Sequence, residues 1–253
     1  MPLVTNARDP DVRVHIASFN TAAATELAIR SARHYADYPF ELVVGDSGSS
    51  DGSREMLEAL KERGWLDLET AREPRSHYEW IDRWVQACPR RFGVFVDSDV
   101  EFLASRWLRD MVEAASGADA AFVAAEVLPE DPDYVFYLTG EPMFLAARPA
   151  PWLFLVDSEK ARSVGASFAP LAAQNDPRPD AVTSYDVGAL FFRRLQDAGL
   201  HWAEMPRSFL AKVHHYGGLS WKPLSGRKGA KQIAKIVIVR WRLMRLRRRH
   251  DGA

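Results

Sequence analysis

Cysteine is almost missing from this chain: Cys88 is the single one among 253 residues. One thiol permits neither an intrachain disulfide nor a cysteine zinc cluster, and it fits a reducing compartment. No apolar run approaches the roughly 18 residues needed to span a bilayer. Internal repeats and low-complexity linkers are absent too, which sets aside solenoids and fibres. The opening MPLVTNARDPDV lacks a basic segment followed by an apolar one, so no secretory signal is expected and the expected location is the cytoplasm. What is present is the balance of an ordinary globular protein, with 47% hydrophobic and 26% charged residues. The length suits one α/β domain or at most two small ones.

The net charge of −1 hides an asymmetry. Between Met205 and His250 there are 13 Lys or Arg and no Asp or Glu, which leaves 20 basic and 34 acidic residues elsewhere, a net of −14. An acidic body with a basic tail implies an anionic partner for the tail: a membrane surface, a nucleic acid or a phosphate-bearing ligand.

Strand and helix signals alternate along the chain. Val12 to Ser18, Phe40 to Val44 and Gly93 to Val96 read as strands, with a weaker one at Leu66 to Thr70 and another at Ala120 to Ala124. Helical composition fills the intervals: Asn20 to Tyr35, Arg54 to Arg63, Tyr78 to Ala87 and Trp107 to Ala115. Trp80 and Trp84 recur at helical spacing and read as core. Pro129 to Pro179, rich in proline and aromatics, Tyr137 and Trp152 among them, reads as loops and a partner-binding wall. A helix over Tyr185 to Leu200 and a short strand at His201 to Ala203 follow. The alternation predicts an α/β, Rossmann-like, mostly parallel sheet flanked by helices, as one domain over 1–221 with a basic helical tail over 222–253.

In such sheets ligands bind beyond the carboxyl ends of the strands, and three polar clusters fall there: Ser18–Thr21, Asp46–Ser53 and Asp97–Asp99. In the last, the run Val94-Phe95-Val96 delivers two carboxylates at alternate positions, so Asp97 and Asp99 can converge on one hard cation. The plainer alternative for a D-x-D is a solvated turn. The Gly- and Ser-rich turn from Asp46 to Ser53 exposes backbone N–H groups before a helix, which suits phosphate or hydroxyl recognition. It is neither a Walker loop nor G-x-G-x-x-G. Asp51 or Ser53 is expected to cap the next helix, leaving Asp46 to face a ligand.

At these motifs the chain resembles the family 2 glycosyltransferases, which have the GT-A nucleotide-sugar-binding fold, over about Val12 to Ser220. VRVHIASFN is similar to that family's first strand, ending in Phe19-Asn20; VVGDSGSSDGS resembles its second strand and nucleotide-binding turn; VFVDSDV resembles its D-x-D strand. The resemblance implies a nucleotide-diphosphate sugar donor bound by Ser18, Asn20, Asp46, Ser49 and Asp97, with Asp99 on Mg2+ or Mn2+. Arg75 and His77 lie where the family contacts the diphosphate or donor sugar, and the fork of Arg75 suits phosphate. Tyr185-Asp186 occupies the place of the family's Glu-Asp, making Asp186 the candidate general base that takes a proton from an acceptor hydroxyl; the departure is Tyr185. Helix capping is the other role open to Asp186, and Asp157 is a substitute base. In His214-His215-Tyr216-Gly217-Gly218, a histidine completes the metal site, His215 in preference to His214. The resemblance further implies inversion; without a long transmembrane segment or the Q-x-x-R-W signature of processive synthases, transfer of one sugar is expected, to a glycan or lipid-linked acceptor if the tail binds membrane. A nucleotidyltransferase would need a basic residue in the first strand-to-helix loop, and Phe19-Asn20-Thr21 supplies none. A non-catalytic membrane-docking protein on the same fold is the alternative from another class.

In the tail, a helical wheel puts Ile233, Val237, Trp241 and Met244 on one face, with Ile236 beside it, Arg240 interrupting it, and Lys231, Lys235, Arg242 and Arg249 opposite. That pattern fits an interfacial membrane helix, and so peripheral attachment to the inner face of the membrane. A helix packed on the acidic body, or an edge strand over Ile236 to Val239, fits it as well. Nucleic acid is not expected, because no nucleic-acid-binding signature accompanies the charge.

Overall fold

The computed structural model describes residues 10–71, 73, 75–135, 142–145, 147–165, 167–170, 183–184, 187–219 and 226–250. The chain divides into two compact units. One comprises Met1–Pro74, Val96–Asp110 and Arg207–Ala253; the other comprises Arg75–Phe95 and Met111–Pro206.

In the first unit, β1 (Val12–Ser18), β2 (Glu41–Asp46) and β3 (Asp67–Thr70) lie side by side in that order, all parallel. Their β-branched and aliphatic residues are buried, as parallel strands require: Val12, Val14 and Ile16 on β1, and Leu42, Val43 and Val44 on β2. The crossovers are α1 (Ala22–Tyr35) and α2 (Ser53–Glu62). Val96 and Asp97, the last residues of β4 (Phe92–Asp97), belong to this unit and lead into β5 (Val100–Phe102). β5 pairs antiparallel with β14 (Val213–His215), so that His215 stands opposite Val100. The unit closes with α8, a 25-residue helix over Gly226–His250.

The tail packs on the body as a helix, one of the arrangements its sequence left open. It is helical throughout Ile236 to Val239, which excludes the edge strand. Yet the buried face is not the one carrying Ile233, Val237, Trp241 and Met244. Val239, Leu243 and Leu246 are the residues that pack, against Ala24 and Leu27 of α1 and against Tyr216 and Leu219. Two cations assigned to a polar face, Lys235 and Arg242, bind the body instead: Lys235 Nζ donates to the Gly217 carbonyl at 2.8 Å and Arg242 Nε to Glu101 Oε1 at 2.6 Å. Arg247 pairs with the buried carboxylate of Glu26, which also receives Arg30 Nε at 2.7 Å. Apolar stripes run along both sides of the helix, and the acidic sockets Glu26 and Glu101 select which side docks.

In the second unit, β6 (Phe122–Ala124) pairs antiparallel with β11 (Leu153–Asp157) and parallel with β13 (Trp202–Glu204). Around them sit α3 (His77–Ala87), α5 (Ser158–Ser163) and α6 (Ala189–Asp197). The interior is a stack of aromatic rings. Phe154 lies against Phe95 at 4.9 Å, Phe122 at 5.2 Å and Phe168 at 5.3 Å, and Phe168 against Phe191 at 4.6 Å. Trp80 and Trp84 of α3 are buried and stacked at 4.9 Å, as their spacing suggested. α6 is shorter at its start than the helix expected over Tyr185 to Leu200, because Gly188, in the left-handed region at φ 81, caps it.

Candidate metal and nucleotide site

The first unit gathers Ser18, Asn20, Asp46, Ser49, Asp97, Asp99 and His215 at or just beyond its strand ends. Ser18 and Asp46 are register partners at the ends of β1 and β2. The following loops hold each other. Asn20, in the left-handed region at φ 52, accepts from Ser50 N through Oδ1 at 2.8 Å and donates its own N–H to Ser49 Oγ at 2.9 Å. Asp51 accepts from Ala22 N at 3.0 Å and Ser53 N at 3.1 Å, so one carboxylate serves the first residues of both α1 and α2. Burial pushes the Asp51 pKa up, but these bonds outweigh it and hold it below its ordinary value. The capping role expected of Asp51 or Ser53 therefore falls to Asp51, across two loops.

Asp46 caps neither helix. It is buried; Oδ2 accepts from Ser49 N at 3.2 Å, and Oδ1 has no hydrogen-bond partner among the described residues. A buried carboxylate oxygen without a donor is costly, and a ligand hydroxyl or N–H at the end of β2 would satisfy it.

The turn after β4 is tied to the same loops, because Thr21 Oγ1 donates to Ser98 Oγ at 3.1 Å. Asp97, Asp99 and His215 each offer one ligand atom, all within 4.8 Å of one another. His215 Nε2 stands 3.2 Å from Asp99 Oδ1 and 3.6 Å from Asp97 Oδ2. Asp99 is fixed from its other side: its carbonyl accepts from Tyr216 N at 3.0 Å and its Oδ2 from Leu219 N at 3.2 Å. The register of β14 on β5 decides between the histidines. His215 faces the carboxylates, whereas His214 is exposed, its ring edge-on to Tyr216 at 4.5 Å. Gly217 follows in the left-handed region at φ 66, where a side chain would be strained; its Cβ would lie 3.8 Å from the His215 ring.

Burial pulls the His215 pKa down. The Asp99 hydrogen bond and the charges of Asp99 and Asp97 outweigh it, so the net direction is upward. The pocket thus favours positive charge on the imidazole. Two carboxylates and an imidazole fit a divalent cation, which would take the place of that proton.

Three supporting residues carry no sequence motif. Glu101, buried on β5, accepts from Tyr216 Oη at 2.8 Å and from Arg242. Burial, then Glu101, pushes the Tyr216 hydroxyl far above its ordinary pKa and keeps it a donor. Gln232 Nε2 donates to the Gly218 carbonyl at 3.2 Å, so α8 holds the loop that bears His215.

Other expected site residues belong to the second unit or lie outside the described residues. Arg75 and His77 belong to the second unit, at the start of α3, where Ser76 and Glu79 cap each other reciprocally and the Arg75 guanidinium sits 4.7 Å from the Trp80 ring centroid. Asp157 caps α5, accepting from Lys160 N at 3.2 Å, which ends its candidacy as a free base. Trp152 is half-buried ahead of β11. Asp186 and Tyr137 lie outside the described residues.

The family model for glycosyl transferase family 2 matches residues 13–171, well over half of the chain. The chain belongs to glycosyl transferase family 2. The match takes in the three strand-end motifs and stops short of Asp186 and His215. No curated protein matches the chain. Among solved structures, the mannosyltransferase PcManGT from Pyrobaculum calidifontis, in complex with GDP-Man and Mn2+, is similar at 16% identity and a TM-score of 0.49, over 98% of this chain and 76% of that one. TarS 1–349 from S. aureus in complex with UDP-GlcNAc is similar at 15% identity and a TM-score of 0.47, over 90% of this chain and 66% of that one. At such identities and scores these likenesses assign no donor to this glycosyltransferase.

Proposed function

We propose that this family 2 glycosyltransferase moves one sugar from a nucleotide-diphosphate sugar to an acceptor hydroxyl, with inversion, and that it works with Mg2+ or Mn2+. The observation that carries the reading is the convergence of Asp97, Asp99 and His215 within 4.8 Å beside loops cross-linked through Asn20 and Asp51. Asp99 and His215 would hold the cation, with Asp97 at its edge towards the ribose. The cation, when bound, supplies positive charge against the negative charge that builds on the departing diphosphate. Asp46, with one oxygen unsatisfied, takes a base or ribose donor group, and Ser18, Asn20 and Ser49 shape the turn around it. Arg75 and His77 are assigned to the diphosphate and donor sugar.

Asp186 is the proposed base. It takes the acceptor proton while the acceptor oxygen attacks the anomeric carbon from the face opposite the leaving group. The acceptor is a glycan or a lipid-linked precursor, and the site of action is the cytoplasm. Among the described residues no helix is long and apolar enough to cross a membrane.

Thermal unfolding with UDP, GDP, CDP and dTDP, each with and without Mn2+, tests the reading. A ligand at about 100 times its Kd stabilises by roughly 2.7 kcal/mol. The expected result is a shift with one nucleotide that needs metal and is lost in Asp99→Asn. No shift with any of the four would contradict it. Loss of transfer in Asp186→Asn with nucleotide binding retained supports the base; unchanged transfer removes it.

A further inference from the structure

The docked face of α8 leaves a second apolar stripe uncovered. Ile233, Val237, Trp241 and Met244 follow one another at spacings of four, four and three residues, which is a single helical stripe. They are 64%, 60%, 47% and 45% exposed. Cations line both borders of the stripe: Arg240 on one side, and Lys231, Arg245 and Arg249 on the other, with Arg248 at the end, all exposed. The Arg245 guanidinium lies 4.3 Å from the Trp241 ring centroid, and Arg248 Nη2 reaches Met244 Sδ at 3.8 Å. Beside the stripe a cleft between α1 and α8 is lined by Tyr35, Glu101, Trp241, Arg242, Arg245 and Arg249. Its three guanidiniums face one carboxylate, a surplus of positive charge suited to a phosphate headgroup. α8 as a whole carries ten Lys or Arg and no Asp or Glu.

We infer that this outer face docks on an anionic phospholipid bilayer, with the stripe at the acyl boundary and the bordering arginines on lipid phosphates. Charge decides between occupants. A second copy of this chain would press one row of cations against another, whereas anionic headgroups neutralise both rows at once. The face is independent of the helix's own anchoring, because Val239, Leu243 and Leu246 hold α8 to the body from the opposite side. The same helix grips the His215 loop through Lys235 and Gln232, so docking brings the metal site to the lipid surface.

The test is co-sedimentation of the full chain with vesicles of phosphatidylcholine alone and with about 30 mol% phosphatidylglycerol. Binding is expected to the anionic vesicles alone and to weaken severalfold in about 0.5 M NaCl. Trp241→Glu and Val237→Glu should each lower it at least about tenfold. Arg245→Gln with Arg249→Gln should lower it by roughly 30-fold, at about 1 kcal/mol per cation. Unfolding midpoints of these exposed-face variants should match the parent, which separates lost docking from lost folding. Equal sedimentation with both vesicles, or with neither, would overturn the inference. So would sedimentation velocity showing a dimer that Trp241→Glu dissolves, or tight binding to a DNA oligonucleotide unaffected by Trp241→Glu.

Discussion

The two units solve different problems with different residues. In the second, β-strands and helices close on stacked phenylalanines, with Phe154 touching three other rings, and two carboxylates hold the scaffold: Asp157 on α5, and Asp82 on Phe168 N at 2.6 Å and Ser167 Oγ at 3.1 Å. In the first, the strand interiors are aliphatic and the strand ends are a polar lattice running from Asn20 through Asp51 and from Thr21 to Ser98. Removing a ring from the first kind of interior costs stability. Removing a polar group from the second kind of edge costs shape where ligands are held.

That contrast is breakable by substitution, taken here from the largest expected effect on stability to the smallest. Phe154→Ala leaves a cavity in the ring stack and should cost about 3–5 kcal/mol in chemical denaturation, with Mn2+ affinity of the folded protein unchanged. A loss under about 1 kcal/mol would mean the stack is not the structural centre of the second unit.

His15, buried on β1, comes next. Burial, and then the charge of Arg13, lowers its pKa to about 3, so it is neutral in the fold. The unfolded chain binds a proton below about pH 6.5 that the folded chain refuses. Stability attributable to His15 is therefore intact above that pH and erodes as pH falls towards 3, by a few kcal/mol. His15→Leu should flatten this part of the acid limb; an unchanged limb would show that the ring is accessible to protons.

Asp51→Ala removes the acceptor for Ala22 N and Ser53 N together and should cost about 1–2 kcal/mol. The sharper readout is nucleotide affinity, which should fall because both loops loosen, whereas a simple helix cap would leave it intact. Gln232→Leu is the smallest change, about 0.5–1.5 kcal/mol. Weaker Mn2+ binding in that variant would show that α8 positions the His215 loop.

Much of this was legible from residue order. The strands β1, β2 and β4 are short apolar runs with polar ends, and a run of buried aliphatics followed by Asp, Ser and Asn reads the same in any context. The bordering helices were legible too, within a few residues. The reason to prefer His215 over His214 was not, because it depends on the register of β14 on β5, a pairing across more than 100 residues. Glu101 was invisible for the same reason: its partners Tyr216 and Arg242 lie 115 and 141 residues away. Which stripe of α8 packs on the body was not legible, because periodicity reports stripes and not partners. Ile233 to Met244 and Ile236 to Leu246 are both apolar stripes, and the choice rests on Glu26 and Glu101, which no wheel contains.

The most direct test of the site is Mn2+ titration followed by electron paramagnetic resonance, on the parent chain, Asp99→Asn and His215→Gln. Asn can still accept from Leu219 N, so the first variant removes charge and leaves the fold. The account predicts one Mn2+ per chain, with affinity lowered beyond the roughly 10–100-fold that an outer-shell change costs in Asp99→Asn, and clearly weakened in His215→Gln, at unchanged unfolding midpoints. Equal Mn2+ affinity in all three proteins would contradict it.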